Sequence, residues 1–198
     1  MFQKEIEWDR LLRIRTSGRD DSRAGQFCYP YEPTPYCVLE RLSSHEFIGK
    51  RNRLLDYGCG KGRVSFFLSY QTRCRTLGIE YDERLLERAL RNRETAAAAG
   101  RTEFLLARAE EFRVPEDVDR FFFFNPFSVE ILKRAVKRIQ ESLREREREV
   151  FLFFYYPSDE YLSYLFSEQG FQAQEEINCR DLFSGENPRE RILVFKGL

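Results

Sequence analysis

The order of strand-like and helix-like segments is the feature that most constrains this fold. From residue 53 onward, short apolar runs alternate with segments whose apolar residues recur every three or four positions, and the runs lie at 54–57, 76–80, 103–106, 120–125 and 149–156. Strands that alternate with helices predict a parallel sheet with helices on both faces. Two runs, RFFFFN and VFLFFYY, are continuously apolar, as expected for strands buried on both faces.

The end of the chain departs from this alternation. Two further strands, at about 171–179 and 190–196, are joined by the polar turn region SGENPRE. This connection is too short for a crossover helix, so the two strands either pair as an antiparallel hairpin or are separated by an irregular loop.

Caps and apolar spacing predict the helices between the strands. We expect helices at 63–71, from Asp82 to Gly100, from Ser128 onward, and from Ser158 to Gly170. Their predicted buried residues recur at helical steps; these are Leu85, Leu86, Ala89 and Leu90, then Leu132, Val136, Ile139 and Leu143, then Leu162, Leu165 and Phe166.

The first 49 residues differ in character from the rest. Residues 4–16 are typical of an amphipathic helix, residues 18–35 of a proline-rich loop, and a short helix follows; the apolar residues of the two helices are Ile6, Leu11, Leu12 and Ile14, then Val38, Leu39 and Leu42. A chain of 198 residues suits one domain with a sizeable core. We therefore expect a single domain over 1–198, with N-terminal helices and a proline-rich segment at 1–49 and an α/β core at 50–198.

Composition excludes several classes of function. The 33 basic and 33 acidic residues cancel, so nothing in the net charge indicates a nucleic-acid partner. The five cysteines are odd in number and form no CxxC pair, which argues against a disulfide framework and a metal site and predicts free thiols. The start of the chain lacks the apolar region of a signal peptide, and no apolar run approaches the roughly 20 residues that span a bilayer. We expect a soluble cytoplasmic protein without a membrane partner.

The stretch LLDYGCGKGRVSFFL carries the strongest functional signal. Its glycines, Gly58, Gly60 and Gly62, lie between the first strand and the first core helix, where the backbone and the free N–H groups of the helix contact a ligand closely. The spacing GxGxG is one residue tighter than the dinucleotide fingerprint GxGxxG, which disfavours an NAD-dependent oxidoreductase. Lys61 is not followed by serine or threonine, so the loop is not a Walker A motif.

An acidic residue, Glu80, ends the second strand 22 positions after Gly58. In a doubly wound sheet this position faces the ribose of a bound nucleoside, whose hydroxyls a carboxylate binds. The glycine loop and Glu80 together predict a nucleoside-containing cofactor.

Four motifs in this order resemble those of the class I S-adenosylmethionine-dependent methyltransferases. They are DYGCGKGR, GIEY at 78–81, AE at 109–110 and FNPF at 124–127, and the resemblance extends over about 50–197. It implies a Rossmann-like, doubly wound α/β fold with a seven-stranded sheet that is mostly parallel, its last strand antiparallel. It also implies S-adenosyl-L-methionine as the cofactor.

The resemblance assigns the cofactor contacts position by position. It implies that Asp56 binds the methionine amino group, directly or through water, and that Glu80 binds the ribose hydroxyls. The other implied cofactor-binding residues lie under the methionine moiety or around the adenine; they are Gly58, Cys59 and Gly60, then Tyr81, Ala109 and Glu110. Arg108 replaces an aspartate that is frequent in the family just before this alanine.

Asn125, Pro126 and Phe127 are the candidate catalytic residues. FNPFS resembles the [Asp/Asn]-P-P-[Tyr/Phe] loop of methyltransferases that act on planar amino or amide nitrogens. It has one proline instead of two, so Phe127 comes one place early. The structural alternative is that Pro126 ends the strand, Phe127 packs in the core and Ser128 caps the next helix.

Two groups of tyrosines complete the candidate site. The segment YPYEPTPY, at 29–36, is either a lid, formed by Tyr31, Thr34 and Tyr36, or a connector packed on the sheet edge. Tyr155 and Tyr156 end the fifth strand, near the transferable methyl group.

We expect a methyltransferase acting on a small molecule or an exposed amino or amide group. The alternatives are an RNA or protein methyltransferase and a cofactor-binding domain without catalysis.

Overall fold

A seven-stranded sheet forms the centre of the protein. The structure is a computed structural model, and it describes residues 2–20, 31–168 and 170–197. The strands are β1 Arg53–Tyr57, β2 Arg75–Glu80, β3 Thr102–Leu106, β4 Arg120–Phe123, β5 Val150–Tyr155, β6 Gln172–Asn178 and β7 Arg191–Gly197. Their order is β3-β2-β1-β4-β5-β7-β6. Only β7 runs antiparallel to its neighbours, β5 and β6. This topology confirms the predicted fold class, and β6 and β7 pair directly.

Helices cover both faces of the sheet. They are α1 Phe2–Leu12, α2 Tyr36–Ser44, α3 Arg63–Thr72, α4 Glu83–Thr95, α5 Val129–Glu145 and α6 Asp159–Ser167. One apolar cluster joins the sheet to α2, α3 and α4, and a second joins it to α5 and α6. Among the described residues, no helix combines the length and the apolar character that crossing a membrane requires.

The phenylalanine runs owe their continuity to this layered arrangement. Successive side chains of a strand point to opposite faces. Accordingly, Phe121 and Phe123 of β4 belong to the cluster under α5, whereas Phe122 belongs to the cluster under α3. All three are at most 1% exposed. Both faces of β4 are therefore covered over these three positions, which explains why its apolar run is continuous.

Several predicted boundaries and faces were wrong. The helix after Asp82 ends at Thr95 rather than at Gly100, and its Leu90 is 40% exposed. The first helix ends at Leu12, and its Ile6 and Leu11 are exposed because few elements pack on this terminal helix. The strand predicted over 120–125 ends at Phe123, since the backbone turns into a left-handed conformation two residues later.

The strand order places a crevice at one edge of the sheet. From β1 the chain proceeds outward through β2 and β3 and then returns to β4 on the other side of β1. Loops that leave β1 and β4 in opposite directions separate at the carboxyl ends of these strands, where open α/β sheets bind their ligands.

Candidate active site

A cavity lies at the carboxyl ends of β1, β2 and β4. Its empty volume is about 1100 Å³, including the part open to solvent. Most of the predicted site residues line it: Tyr31, Thr34, Asp56, Gly58, Cys59, Glu80, Tyr81, Ala109, Glu110, Pro126 and Phe127. Five predicted residues do not line it: Tyr36, Gly60, Asn125, Tyr155 and Tyr156.

The glycine loop folds in a way that only glycine tolerates. Gly58 and Gly60 have φ angles of +70° and +53°, in the left-handed region that disfavours other residues. A Cβ atom on Gly58 would lie 2.8 Å from the Cβ of Pro126. One on Gly60 would lie 2.2 Å from the ring of Tyr31. The loop therefore touches both the β4 loop and the N-terminal segment.

The carboxylate of Glu80 organises the loops around it. It accepts hydrogen bonds from the backbone N–H groups of Gly60 at 2.9 Å, Tyr81 at 2.9 Å and Asp82 at 3.0 Å. Burial raises its pKa, against the effect of these N–H groups. A carboxylate has about four acceptor positions, so about one remains for a ligand hydroxyl. Gly60 is therefore linked to the site through its N–H bond to Glu80, although it does not line the cavity itself.

Asp56 is the second buried acid of the cavity. Its carboxylate accepts a hydrogen bond from the Ser65 hydroxyl at 2.9 Å. Burial raises its pKa to about 7. An ionised Asp56 needs a cationic partner, because a buried charge is costly unless it is paired. Burial also raises the pKa of the Cys59 thiol, which therefore remains protonated and is a poor nucleophile.

Aromatic side chains also line the cavity, among them those of Tyr57 and Phe127. The Tyr57 ring stacks on Phe123 with centroids 4.6 Å apart, and Phe127 meets Tyr57 edge to face at 6.4 Å. Phe127 therefore both lines the cavity and packs in the core, with its carbonyl accepting from the Tyr161 hydroxyl at 2.7 Å. Ser128, at the start of α5, makes no side-chain capping bond. The Tyr57 hydroxyl is buried without a partner among the described residues.

Asn125 stands in a strained position beside the cavity. Its φ angle is +40°, which is unusual for a residue other than glycine. Its Oδ1 atom is buried and has no hydrogen-bond partner in the described part of the chain. Its neighbours Phe124 and Pro126 both line the cavity. Strain and an unused acceptor at one residue are typical of a functional position.

Residues 54–146 match a family model described as a methyltransferase domain. This match and the seven-stranded fold confirm the resemblance of the chain to the class I S-adenosylmethionine-dependent methyltransferases. No curated protein is similar enough in sequence to count as a match.

Solved structures share the fold of this methyltransferase domain at low sequence identity. An RNA methyltransferase from Salinibacter ruber, in complex with S-adenosyl-L-homocysteine, is 18% identical; the alignment covers 84% of this chain and 92% of that one, with a TM-score of 0.56. A TehB-like methyltransferase from Corynebacterium glutamicum is also 18% identical, with coverages of 83% and 89% and a TM-score of 0.57. A methyltransferase from Thiobacillus denitrificans, in complex with S-adenosyl-L-homocysteine, is 18% identical, with coverages of 83% and 91% and a TM-score of 0.58.

The N-terminal segment, which precedes the matched region, covers one end of the methyltransferase cavity. The Tyr31 ring lies on Gly60, and its hydroxyl donates to the carbonyl of Thr16 at 2.7 Å. Lys61 Nζ donates to the carbonyls of Ser17 at 2.8 Å and Gly18 at 3.1 Å. The glycine loop therefore holds this segment in place. Residues 29 and 30 of the predicted lid, and Cys28, lie outside the described residues.

Three of the predicted tyrosines are used elsewhere. Tyr36 is fully buried at the start of α2, where its hydroxyl donates to Asp9 at 2.6 Å. The Tyr155 hydroxyl donates to Glu190 at 2.6 Å. Tyr156 stacks against the Arg189 guanidinium, 4.2 Å from the ring centroid. Tyr36 is thus part of the core and not of a lid, and Tyr155 and Tyr156 lie behind Phe124 rather than on the cavity surface.

Sequence reasoning missed several polar residues of the cavity, among them Tyr57 and Arg63. Tyr57 directly follows Asp56, and Arg63 directly follows the glycine loop, so both belong to the motif itself. Their places directly beside Asp56 and directly after the glycine loop are the signal that could have found them.

Proposed function

We propose that the protein binds S-adenosyl-L-methionine in this cavity and transfers its methyl group to an acceptor, releasing S-adenosyl-L-homocysteine. The observation that carries the proposal is the pair of buried acids, Asp56 and Glu80, placed on either side of one glycine loop. The complexes of the Salinibacter ruber and Thiobacillus denitrificans proteins with S-adenosyl-L-homocysteine support it.

The charge of the cavity fits this cofactor. S-adenosylmethionine carries an ammonium group and a sulfonium group, both cationic. Six carboxylates and two guanidinium groups line the cavity: Asp20, Glu32, Asp56, Glu80, Asp82 and Glu110, with Arg63 and Arg108. The excess of acids stabilises a cationic ligand. Asp56 would bind the ammonium, Glu80 a ribose hydroxyl, and Tyr81, Ala109 and Glu110 the adenine.

The chain's own part in methyl transfer is alignment. When bound, the cofactor supplies an electrophilic methyl group on its sulfonium, and in-line displacement depends chiefly on holding the nucleophile at the correct angle and distance. Thr34 and the Tyr31 ring close the cavity on the side of the N-terminal segment and exclude water there. The Asn125 Oδ1 atom, an acceptor without a partner, is suited to orient an N–H group of the acceptor.

Binding of S-adenosyl-L-homocysteine tests the cofactor directly. In isothermal titration calorimetry we expect micromolar or tighter binding of this product and none of NAD. The GxGxG spacing and the two acids favour the former ligand. Saturating S-adenosyl-L-homocysteine that gives neither heat nor a thermal shift would refute the proposal.

The acceptor is proposed to be an amino or amide nitrogen of a small molecule or of an exposed group. Asn125 supports this choice of acceptor, because its side-chain carbonyl has no partner among the described residues and can accept from an N–H group, and because its backbone is strained. Incubating a fractionated lysate with methyl-labelled cofactor identifies the acceptor class. Label in RNA or protein would favour the alternatives, and label bound to oxygen, sulfur or carbon would contradict a nitrogen target.

Replacing Asn125 with glycine is expected to lower the rate of methyl transfer at least about 100-fold and to leave cofactor affinity within about threefold. Glycine removes the amide and tolerates the positive φ, so the fold is retained. Initial rates of label transfer and calorimetry measure the two effects. Asn187→Gly, at the remote Tyr156 hydroxyl, is the control. A transfer rate close to that of the wild type would exclude a catalytic role for Asn125.

A further inference from the structure

Lys61 is a buried lysine of the glycine loop, and its side chain extends toward the N-terminal segment rather than lining the cavity. The residue is 5% exposed. Its ammonium group donates to the carbonyls of Ser17 at 2.8 Å and Gly18 at 3.1 Å. The same group lies 4.5 Å from the centroid of the Tyr31 ring. These three partners of the ammonium group all belong to the N-terminal segment.

The partners of Lys61 adjoin the part of the N-terminal segment that lines the cavity. We call this part the N-terminal wall; its residues are Asp20, Tyr31, Glu32, Pro33 and Thr34. Asp20 and Tyr31 exchange two backbone hydrogen bonds, at 3.0 and 2.9 Å, and the Tyr31 hydroxyl donates to the carbonyl of Thr16 at 2.7 Å. Lys61 therefore holds the wall in two places, through residues 17–18 and through the Tyr31 ring.

The stability of the fold does not account for a lysine in this position. A buried ammonium group is costly unless a charge of opposite sign compensates it, and the hydrogen-bond acceptors of Lys61 are neutral carbonyls. Burial accordingly lowers the pKa of Lys61. Ser17 and Gly18 are exposed residues, so water can replace the ammonium group at their carbonyls. We therefore expect Lys61 to contribute little net stability.

We propose that Lys61 is a positioning residue that holds the N-terminal wall against the bound cofactor and thereby slows cofactor dissociation. This inference rests on the proposed function and adds a residue that controls how long the cofactor stays bound. The glycine loop supplies Gly58 and Cys59 to the cavity and Lys61 to the wall. One loop thus contacts the cofactor and fixes the segment that covers it, which also keeps water away from the reacting groups.

The test compares the dissociation rate of S-adenosyl-L-homocysteine with the stability of the ligand-free protein. Lys61→Met removes the ammonium group and keeps an unbranched, flexible side chain. Surface plasmon resonance is expected to show dissociation at least about tenfold faster than in the wild type. The midpoint of chemical denaturation should equal or exceed that of the wild type, because the cost of burying the charge is removed. Lys137→Met, on the exposed face of α5, is the control and should change neither quantity.

A merely structural Lys61 gives a different pattern. Faster dissociation together with a lower denaturation midpoint would overturn the proposal, and so would dissociation within about threefold of the wild-type rate. If Lys61→Met does not fold, Tyr31→Phe decides, since it removes only the hydroxyl bond from the wall to Thr16. This variant should release the ligand at least about threefold faster, and an unchanged rate would refute the inference. A wild type that does not bind S-adenosyl-L-homocysteine refutes the proposed function itself.

Discussion

Replacing Glu80 with alanine is expected to weaken binding of S-adenosyl-L-homocysteine at least about 100-fold and to lower the free energy of unfolding by about 2 kcal/mol or more. The carboxylate accepts from the N–H groups of Gly60, Tyr81 and Asp82, so alanine leaves three donors without their acceptor. Affinity falls for two reasons, since the ribose loses its acceptor and the glycine loop loses its connection to β2.

Two further variants separate these reasons. Glu80→Gln keeps one carbonyl oxygen, so it should recover part of the stability but little of the affinity. Glu83→Ala removes an exposed acid three residues later, in the first turn of α4, and should change both quantities little. Chemical denaturation and calorimetry provide the measurements. An affinity of Glu80→Ala within threefold of that of the wild type would contradict the assigned role.

The sheet could be predicted because its signals are local. Continuous runs such as RFFFFN fit only a strand that is covered on both faces, and the short link SGENPRE excludes a crossover helix before the last strand. Helix ends were less predictable. The helix after Asp82 ends at Thr95 although four alanines, which favour helix, follow it. There the chain turns back into β3, and tertiary packing overrides propensity.

The cofactor end of the site could be predicted from the loop between β1 and α3. The three glycines occupy left-handed backbone positions, and an acid ends β2. Both features are local, so they can be read directly from the sequence. The tyrosines could not be assigned in the same way. Tyr31 and Tyr36 belong to one motif, yet one covers the glycine loop and the other is buried against Asp9, since α2 begins between them.

The contacts of Arg63 could not be predicted from the sequence for a related reason. Its side chain is held by Glu5, Thr16 and Thr34, which are 58, 47 and 29 residues away in the chain. No spacing rule connects residues so distant. Only the assembled fold reveals that three of its donors are used and that, among the described residues, the two of Nη2 have no acceptor.

Replacing Asp56 with asparagine is expected to abolish a pH dependence of the ligand-free protein. In the fold, burial raises the pKa of Asp56 from 3.8 to about 7, whereas the unfolded chain keeps the ordinary value. The folded protein therefore binds more protons between about pH 4 and pH 7, and its stability declines as pH rises through this range. Above pH 7 Asp56 is ionised, and the free-energy cost of burying its charge lowers the stability of the fold in full.

Asparagine accepts the Ser65 hydroxyl bond without a charge. At pH 8 the variant should be more stable than the wild type by at least about 1 kcal/mol, and the difference should disappear toward pH 4. Denaturant unfolding at a series of pH values measures this. Asp117→Asn is the control, because the pKa of Asp117 shifts in the opposite direction: Arg53 and Arg75 lower it. Ionised Asp117 therefore stabilises the fold, and this contribution is lost as pH falls.

Cofactor affinity should change in the reverse direction. An ammonium group pairs only with ionised Asp56, so wild-type affinity for S-adenosyl-L-homocysteine should rise between pH 6 and pH 8, while Asp56→Asn should bind at least about tenfold more weakly, without that rise. Stability and affinity would thus depend oppositely on the ionisation of one carboxyl. Above pH 7 the buried Asp56 carboxylate is charged, and the ammonium group of a bound ligand would neutralise that charge. A variant that loses stability at pH 8 and keeps the affinity of the wild type would exclude this electrostatic role.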